Sequence, residues 1–215
     1  MVMDQQKHHL ETLTEIRALM EQSSRFISLS GLSGVAAGIF ALFGAGAVYW
    51  YLGITPFSGQ KAYYVTAETM NRGGIHYLTF FMVDAAIVLI LAISSGIFFT
   101  TRQARKKGLK MWDASSRRLL INMAIPLVAG GIFCLGLLYH DLFGLVAPAT
   151  LVFYGLACLN ASKYTLNDIR YLGILEITLG LIATFFLGFG LEFWAFGFGV
   201  LHIVYGLIMY YKYEQ

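Results

Sequence analysis

The chain has 215 residues, of which 58% are hydrophobic and only 13% charged, and its net charge is +3. Soluble domains carry roughly 25% charged residues, so this composition, with a mean hydropathy of +0.67, excludes an ordinary water-soluble globule. The small positive balance is a topology signal and gives no reason to expect a nucleic-acid partner.

Residues 8 to 25 place Leu10, Leu13, Ile16 and Met20 at helical spacing, with Glu11, Glu15, Arg17 and Glu21 elsewhere, which predicts a short amphipathic helix. Residues 1 to 25 thus form an N-terminal cytoplasmic arm that lies at the interface or docks a cytoplasmic partner. They hold no short apolar stretch ahead of a small-residue cleavage site, so no signal peptide is expected. Six apolar runs follow within residues 26 to 215, at about 27 to 51, 77 to 100, 119 to 139, 142 to 160, 171 to 189 and 192 to 211. Each is close to the ~20 residues that cross a bilayer. None shows the dyad alternation of a membrane barrel, so all six are predicted to be helices. Between the first two, residues 53 to 76 contain Pro56, Gly59, Gly73 and Gly74 and are expected to form a loop. The turns near 140 to 143 and 189 to 192 are so short that spans three and four form one hairpin and spans five and six another.

Thirteen of the 15 Lys and Arg residues fall in the N-terminal arm, in the loop after span two (Arg102, Arg105, Lys106, Lys107, Lys110, Arg117, Arg118), or at Lys163, Arg170 and Lys212; only Lys61 and Arg72 lie on the other side. Basic loops stay in the cytoplasm, so both termini are expected there, in a bacterial inner membrane. Tyr and Trp residues gather at the predicted span ends, Trp50, Tyr77, Tyr139 and Trp194 at one face and Trp112, Tyr164, Tyr171 and Tyr210 at the other, as interfacial anchors do.

The hairpins resemble one another. "VAAGIFALFG" (35 to 44) matches "VAGGIFCLGL" (128 to 137), and "ITLGLIATFF" (177 to 186) follows the same pattern; "FYGLACLNASKY" (153 to 164) resembles "VYGLIMYYKY" (204 to 213). The expected fold is therefore all-α: a polytopic membrane protein of six transmembrane helices in three hairpin repeats, about 27 to 100, 119 to 160 and 171 to 211.

Three ionisable residues lie deep in the spans: Asp84, Glu176 and His202. A charge at that depth costs several kcal/mol unless it is paired, neutralised or wetted. Glu176 shares a helical face with Gly173 and Gly180, and His202 shares one with Gly199, Tyr205 and Gly206, so the pair is expected to meet where helices five and six approach closely. Two readings stand. In one, Glu176 and His202 satisfy each other, with Tyr205 supplying a hydroxyl, and fix helix register; in the other, they line a wet site for a proton, a cation or a polar solute, with Asp84 as a second site. Cys134 and Cys158 lie inside spans as small apolar residues, and His76, His140, Asp141 and Glu192 match no ligand spacing, so no metal and no cofactor is expected. No motif of a hydrolase, a metalloprotease or a phosphate-binding loop occurs, so no catalytic residue is assigned.

Around "SSRFISLSGLSG" (23 to 34) and "FGFGVLHIVYGLIMY" (196 to 210) the chain resembles an uncharacterised group of small six-span inner-membrane proteins, mostly from Bacteroidota. In architecture it is also similar to HdeD-type acid-resistance membrane proteins. Neither likeness carries an activity over. The function expected from the residues is a channel or carrier for a proton, ion or small polar solute, with a membrane-embedded regulatory, sensory or assembly protein as the alternative. Its partners would be the lipid bilayer, with a homo-oligomer or a cytoplasmic protein as further candidates.

Overall fold

The computed structural model describes residues 29–57, 71–72, 74–108 and 112–215, together with Thr12 and Phe26. Apart from Thr12, the predicted amphipathic helix of the arm lies outside the described residues. Six helices follow in order: α1 (Gly31–Leu52), α2 (Tyr77–Lys106), α3 (Ala114–Tyr139), α4 (Val146–Ala161), α5 (Asp168–Ala183) and α6. A 3-10 turn, Phe143–Leu145, leads into α4, and α6 runs over Gly190–Tyr213 with a π-helical stretch at Ala195–Leu201. Part of the predicted loop before α2 is regular: β1 (Asn71–Arg72) pairs antiparallel with β2 (Ile75–His76), across a turn in which Gly74 takes a φ of +80°.

Among the described residues, five helical segments are long and apolar enough to cross a membrane: α1, α2, α3, α4 with its leading turn, and α6. The fold is that of an integral membrane protein with several helical spans. Predicted span five is shorter than its apolar run. Helix α5 has 16 residues, about 24 Å at 1.5 Å per residue, against ~30 Å for a hydrocarbon core. It stops because the chain tightens at Thr184: Phe185 and Phe186 N–H groups donate to the carbonyls of Ile182 and Ala183, three residues back, and the Thr184 hydroxyl donates to Leu181. Helices α2 and α3 turn large apolar side chains outward, among them Ile90, Ile97, Phe98, Ile125 and Ile132. A soluble monomer would not carry such a surface; lipid accepts it.

Lipid tails are as apolar as leucine, so helices in a membrane associate through close packing at small residues. The most extensive helix contacts are α4 with α5, α3 with α4, α1 with α2 and α1 with α6. In the α4–α5 contact, a Cβ added at Gly173 would lie 2.7 Å from the Gly155 carbonyl oxygen and 2.8 Å from Leu159 N; one added at Gly180 would lie 2.9 Å from both Pro148 O and Val152 N. The α1–α6 contact uses the same spacing. There, Gly31 faces Gly206 O and Tyr210 N, and Gly38 faces Gly199 O and Ile203 N.

Polar groups complete the helix ends. Asp113 Oδ1 accepts from Ser116 N–H while Ser116 Oγ accepts from Asp113 N–H, closing a capping box on α3. The exposed amides at the start of α1 meet the Glu214 carboxylate, which accepts from Gly31 N–H and from the Ser30 hydroxyl; a negative charge there also opposes the positive end of the helix dipole. At the same end of the bundle, Asp168 accepts from Lys212 Nζ and from the Tyr213 hydroxyl. Burial alone would raise the Asp168 carboxyl, but those two donors and the lysine's charge hold it below its ordinary value.

Inside α3, Pro126 has no N–H to offer Asn122, four residues earlier. The Asn122 carbonyl is instead bonded by Asn160 Nδ2 of α4 at 2.9 Å. Asn160→Ala should therefore destabilise the protein by about 1–3 kcal/mol in denaturant titration in detergent. In a Pro126→Ala background, where the helix supplies its own donor, that cost should shrink.

The packing itself is open to a matched comparison. Gly155→Ala places a Cβ 2.6 Å from Gly173 O and should cost about 1–3 kcal/mol. Gly46→Ala, on α1 with no neighbour within 4 Å, should be neutral or slightly stabilising, since alanine favours the helix. Thermal unfolding in detergent reads both.

Candidate functional site

Glu176 is the most buried ionisable side chain among the described residues, with an exposure of 0%, and His202 is 6% exposed. His202 Nδ1 lies 3.5 Å from Glu176 Oε1. The pair expected from the sequence therefore forms, turned inward and away from lipid, with no apolar side chain between the two groups.

The route by which they meet differs from the expectation. Gly173 and Gly180 pack on α4, and Gly199 and Gly206 pack on α1; none of these glycines brings α5 to α6. The close approach is at Gly197, where a Cβ would lie 2.6 Å from Glu176 Oε2. Gly197 stands within the π-helical stretch, and its carbonyl oxygen is 3.0 Å from His202 Nδ1. A π turn is wider than an α turn and turns the residues beyond it around the axis; such turns recur at functional sites.

A carbonyl only accepts, so Nδ1 carries the proton, directed between Gly197 O and Glu176 Oε1. In the neutral ring Nε2 then accepts, and the Tyr154 hydroxyl of α4 donates to it at 2.7 Å. Tyr205, the expected donor, makes no hydrogen bond to His202. Sequence reasoning had aligned Tyr154-Gly155 with Tyr205-Gly206, and the structure uses the other member of that alignment. The Cys158 thiol is buried one turn along α4 from Tyr154. Phe198 stacks on the imidazole, with ring centroids 5.7 Å apart and planes inclined by 21°, and Trp194 packs against Phe198 at 5.2 Å.

Both oxygens of Glu176 are buried and neither has a hydrogen-bond partner in the described residues. A lone carboxylate cannot stay ionised in such a place without a counter-charge. Two proton arrangements satisfy the geometry: a neutral carboxyl beside a neutral imidazole, or a carboxylate beside an imidazolium. In the second, Nε2 donates to the Tyr154 hydroxyl oxygen. The two arrangements hold the same number of protons and differ in where one of them sits, on the Glu176 carboxyl or on His202 Nε2, the ring nitrogen that faces Tyr154.

Asp84 does not join this group. It is partly buried on α2, its carboxylate 3.2 Å from where a Cβ on Gly44 of α1 would stand, and it lines a cavity of about 270 Å³ at the end of the bundle away from the basic loop. At that end His76 Nδ1 accepts from Leu78 N–H, Glu192 accepts from Phe57 N–H, and Asp141 borders the cavity. Comparison with protein-family models, curated proteins and solved structures gives no match, so the site is read from its own geometry.

Tyr154→Phe removes the donor to a buried imidazole nitrogen and should lower stability by about 1–3 kcal/mol. Tyr205→Phe should change it by less than about 0.5 kcal/mol. Equal effects in detergent unfolding would restore the assignment made from the sequence.

Proposed function

We propose that this protein is a carrier or channel in a bacterial inner membrane that moves a proton, or a small cation or polar solute coupled to one, with Glu176 and His202 as the exchange pair. The observation that carries the reading is the carboxyl of Glu176, sealed from solvent with two unbonded oxygens and placed 3.5 Å from a titratable ring. A structural pair held only for register would be expected to complete its hydrogen bonds, because an unsatisfied buried polar group costs about 1–3 kcal/mol. Here the open valence is kept at the wide turn of α6, and ionisable groups at such depth mark ion and proton pathways. Tyr154 orients the imidazole, and Asp84 is a second site, near the start of α2 and away from the basic loop.

Three hairpins in parallel repetition fit this role. The shared register of the α4–α5 and α1–α6 contacts supports that repetition, and the charge asymmetry of the loops supports cytoplasmic termini. In this reading α5 and the turns to Phe189 together make the sixth crossing.

Reconstitution in liposomes with an internal pH-sensitive dye tests the proposal. Wild-type protein should dissipate an imposed proton gradient faster than empty liposomes, and Glu176→Gln and His202→Ala should each reduce that flux at least tenfold while keeping the wild-type elution profile and secondary structure. Flux retained in both variants, or lost only together with folding, would assign the pair to packing.

A further inference from the structure

The cavity near Asp84 is chemically distinct from the Glu176–His202 pair and stands whether or not that pair moves a proton. It has a volume of about 270 Å³ and is walled mainly by apolar and aromatic groups, among them Tyr77, Phe81, Phe143 and Trp194. Two carboxylates reach it, Asp84 within and Asp141, and no Lys, Arg or His is among its lining residues. No hydrogen bond to the Asp84 carboxylate is made by any other described residue. Residues of α2, of the turn into α4 and of α6 thus converge on one space, with Asp84 among the aromatic groups.

An apolar recess with acidic residues, no basic residue and several aromatic faces in its wall has a definite complement. Aromatic faces attract cations, most strongly when desolvated, and pockets take ligands whose apolar body fills the wall while one polar group fixes orientation. A hydrated metal ion would find too few oxygens here, since magnesium and calcium take six or more. An anion would be repelled. We propose that this cavity binds a small organic ammonium ion carrying an apolar group, with Asp84 as its counter-ion and the aromatic residues of α2, α4 and α6 around the cationic head. The ammonium belongs to a free amine or to a lipid headgroup, which share this chemistry.

The test is calorimetric titration of the full chain in dodecyl maltoside with benzyltrimethylammonium, and with neopentylbenzene as the uncharged isostere. Wild-type protein should bind the cation saturably at one site, and Asp84→Asn should weaken it at least tenfold while leaving the isostere unchanged. Ala85→Leu, which keeps Asp84 but fills part of the cavity, should also weaken the cation at least tenfold, and it serves if Asp84→Asn fails to fold. Addition of phosphatidylethanolamine separates the sources: competition with the probe assigns a lipid headgroup, and no competition assigns a free amine. Absence of saturable binding to the wild type, or equal affinity in the wild type and both variants, overturns the proposal.

Discussion

Close backbone approach at glycine is the constraint on which this structure rests. In water, two helices are driven together by the burial of apolar area; in lipid that drive is missing, and contact must come from packing and from polar bonds. Gly155 against Gly173, and Gly31 against Gly206, allow carbonyl oxygens of one helix to sit where another residue would place its Cβ. Once α5 is fixed on α4 and α6 on α1, the position of Glu176 follows: it points toward Leu151 and Gly197, where no lipid or water reaches it. The buried carboxyl is thus a consequence of the helix contacts as well as the centre of the candidate site.

Proline and asparagine show the same economy of polar groups at another place. Pro126 leaves a carbonyl free in the middle of an apolar helix, and a side chain from the neighbouring helix answers it. At Glu176 the donor that approaches, His202 Nδ1, stays 3.5 Å from Oε1 and bonds the Gly197 carbonyl at 3.0 Å.

The helical class, five of the six long helices and the inward turn of Glu176 and His202 were legible in the sequence, because apolar length and depth of charge are local properties. Helix pairing was less so. Short turns suggested that α5 and α6 would be packed partners, yet α5 packs chiefly on α4 and α6 on α1, since glycine faces and not turn lengths decide which backbones can touch. Tyr154 was missed for a related reason: a repeated Tyr-Gly pair marks two equivalent positions, and only the three-dimensional neighbour of His202 distinguishes them. The π-helical stretch has no periodic signature at all; its only trace is Gly197 and Gly199 in "AFGFGVL". The early stop of α5 was hidden because Phe185, Phe186 and Leu187 continue the hydrophobic run while the backbone has already changed to three-residue turns.

The seating of α6 on α1, with Glu214 at the first turn of α1, ties the order of synthesis to the order of assembly. About 140 residues separate the end of α1 from the start of α6, and a ribosome making 5–20 residues per second needs roughly 7–28 s to supply them. During that interval the first helix stands in the bilayer with its glycine stripe bare and its leading amides uncapped. Insertion machinery or lipid has to shield it until the last helix arrives, which makes the nascent chain, rather than the finished bundle, the form most exposed to quality control.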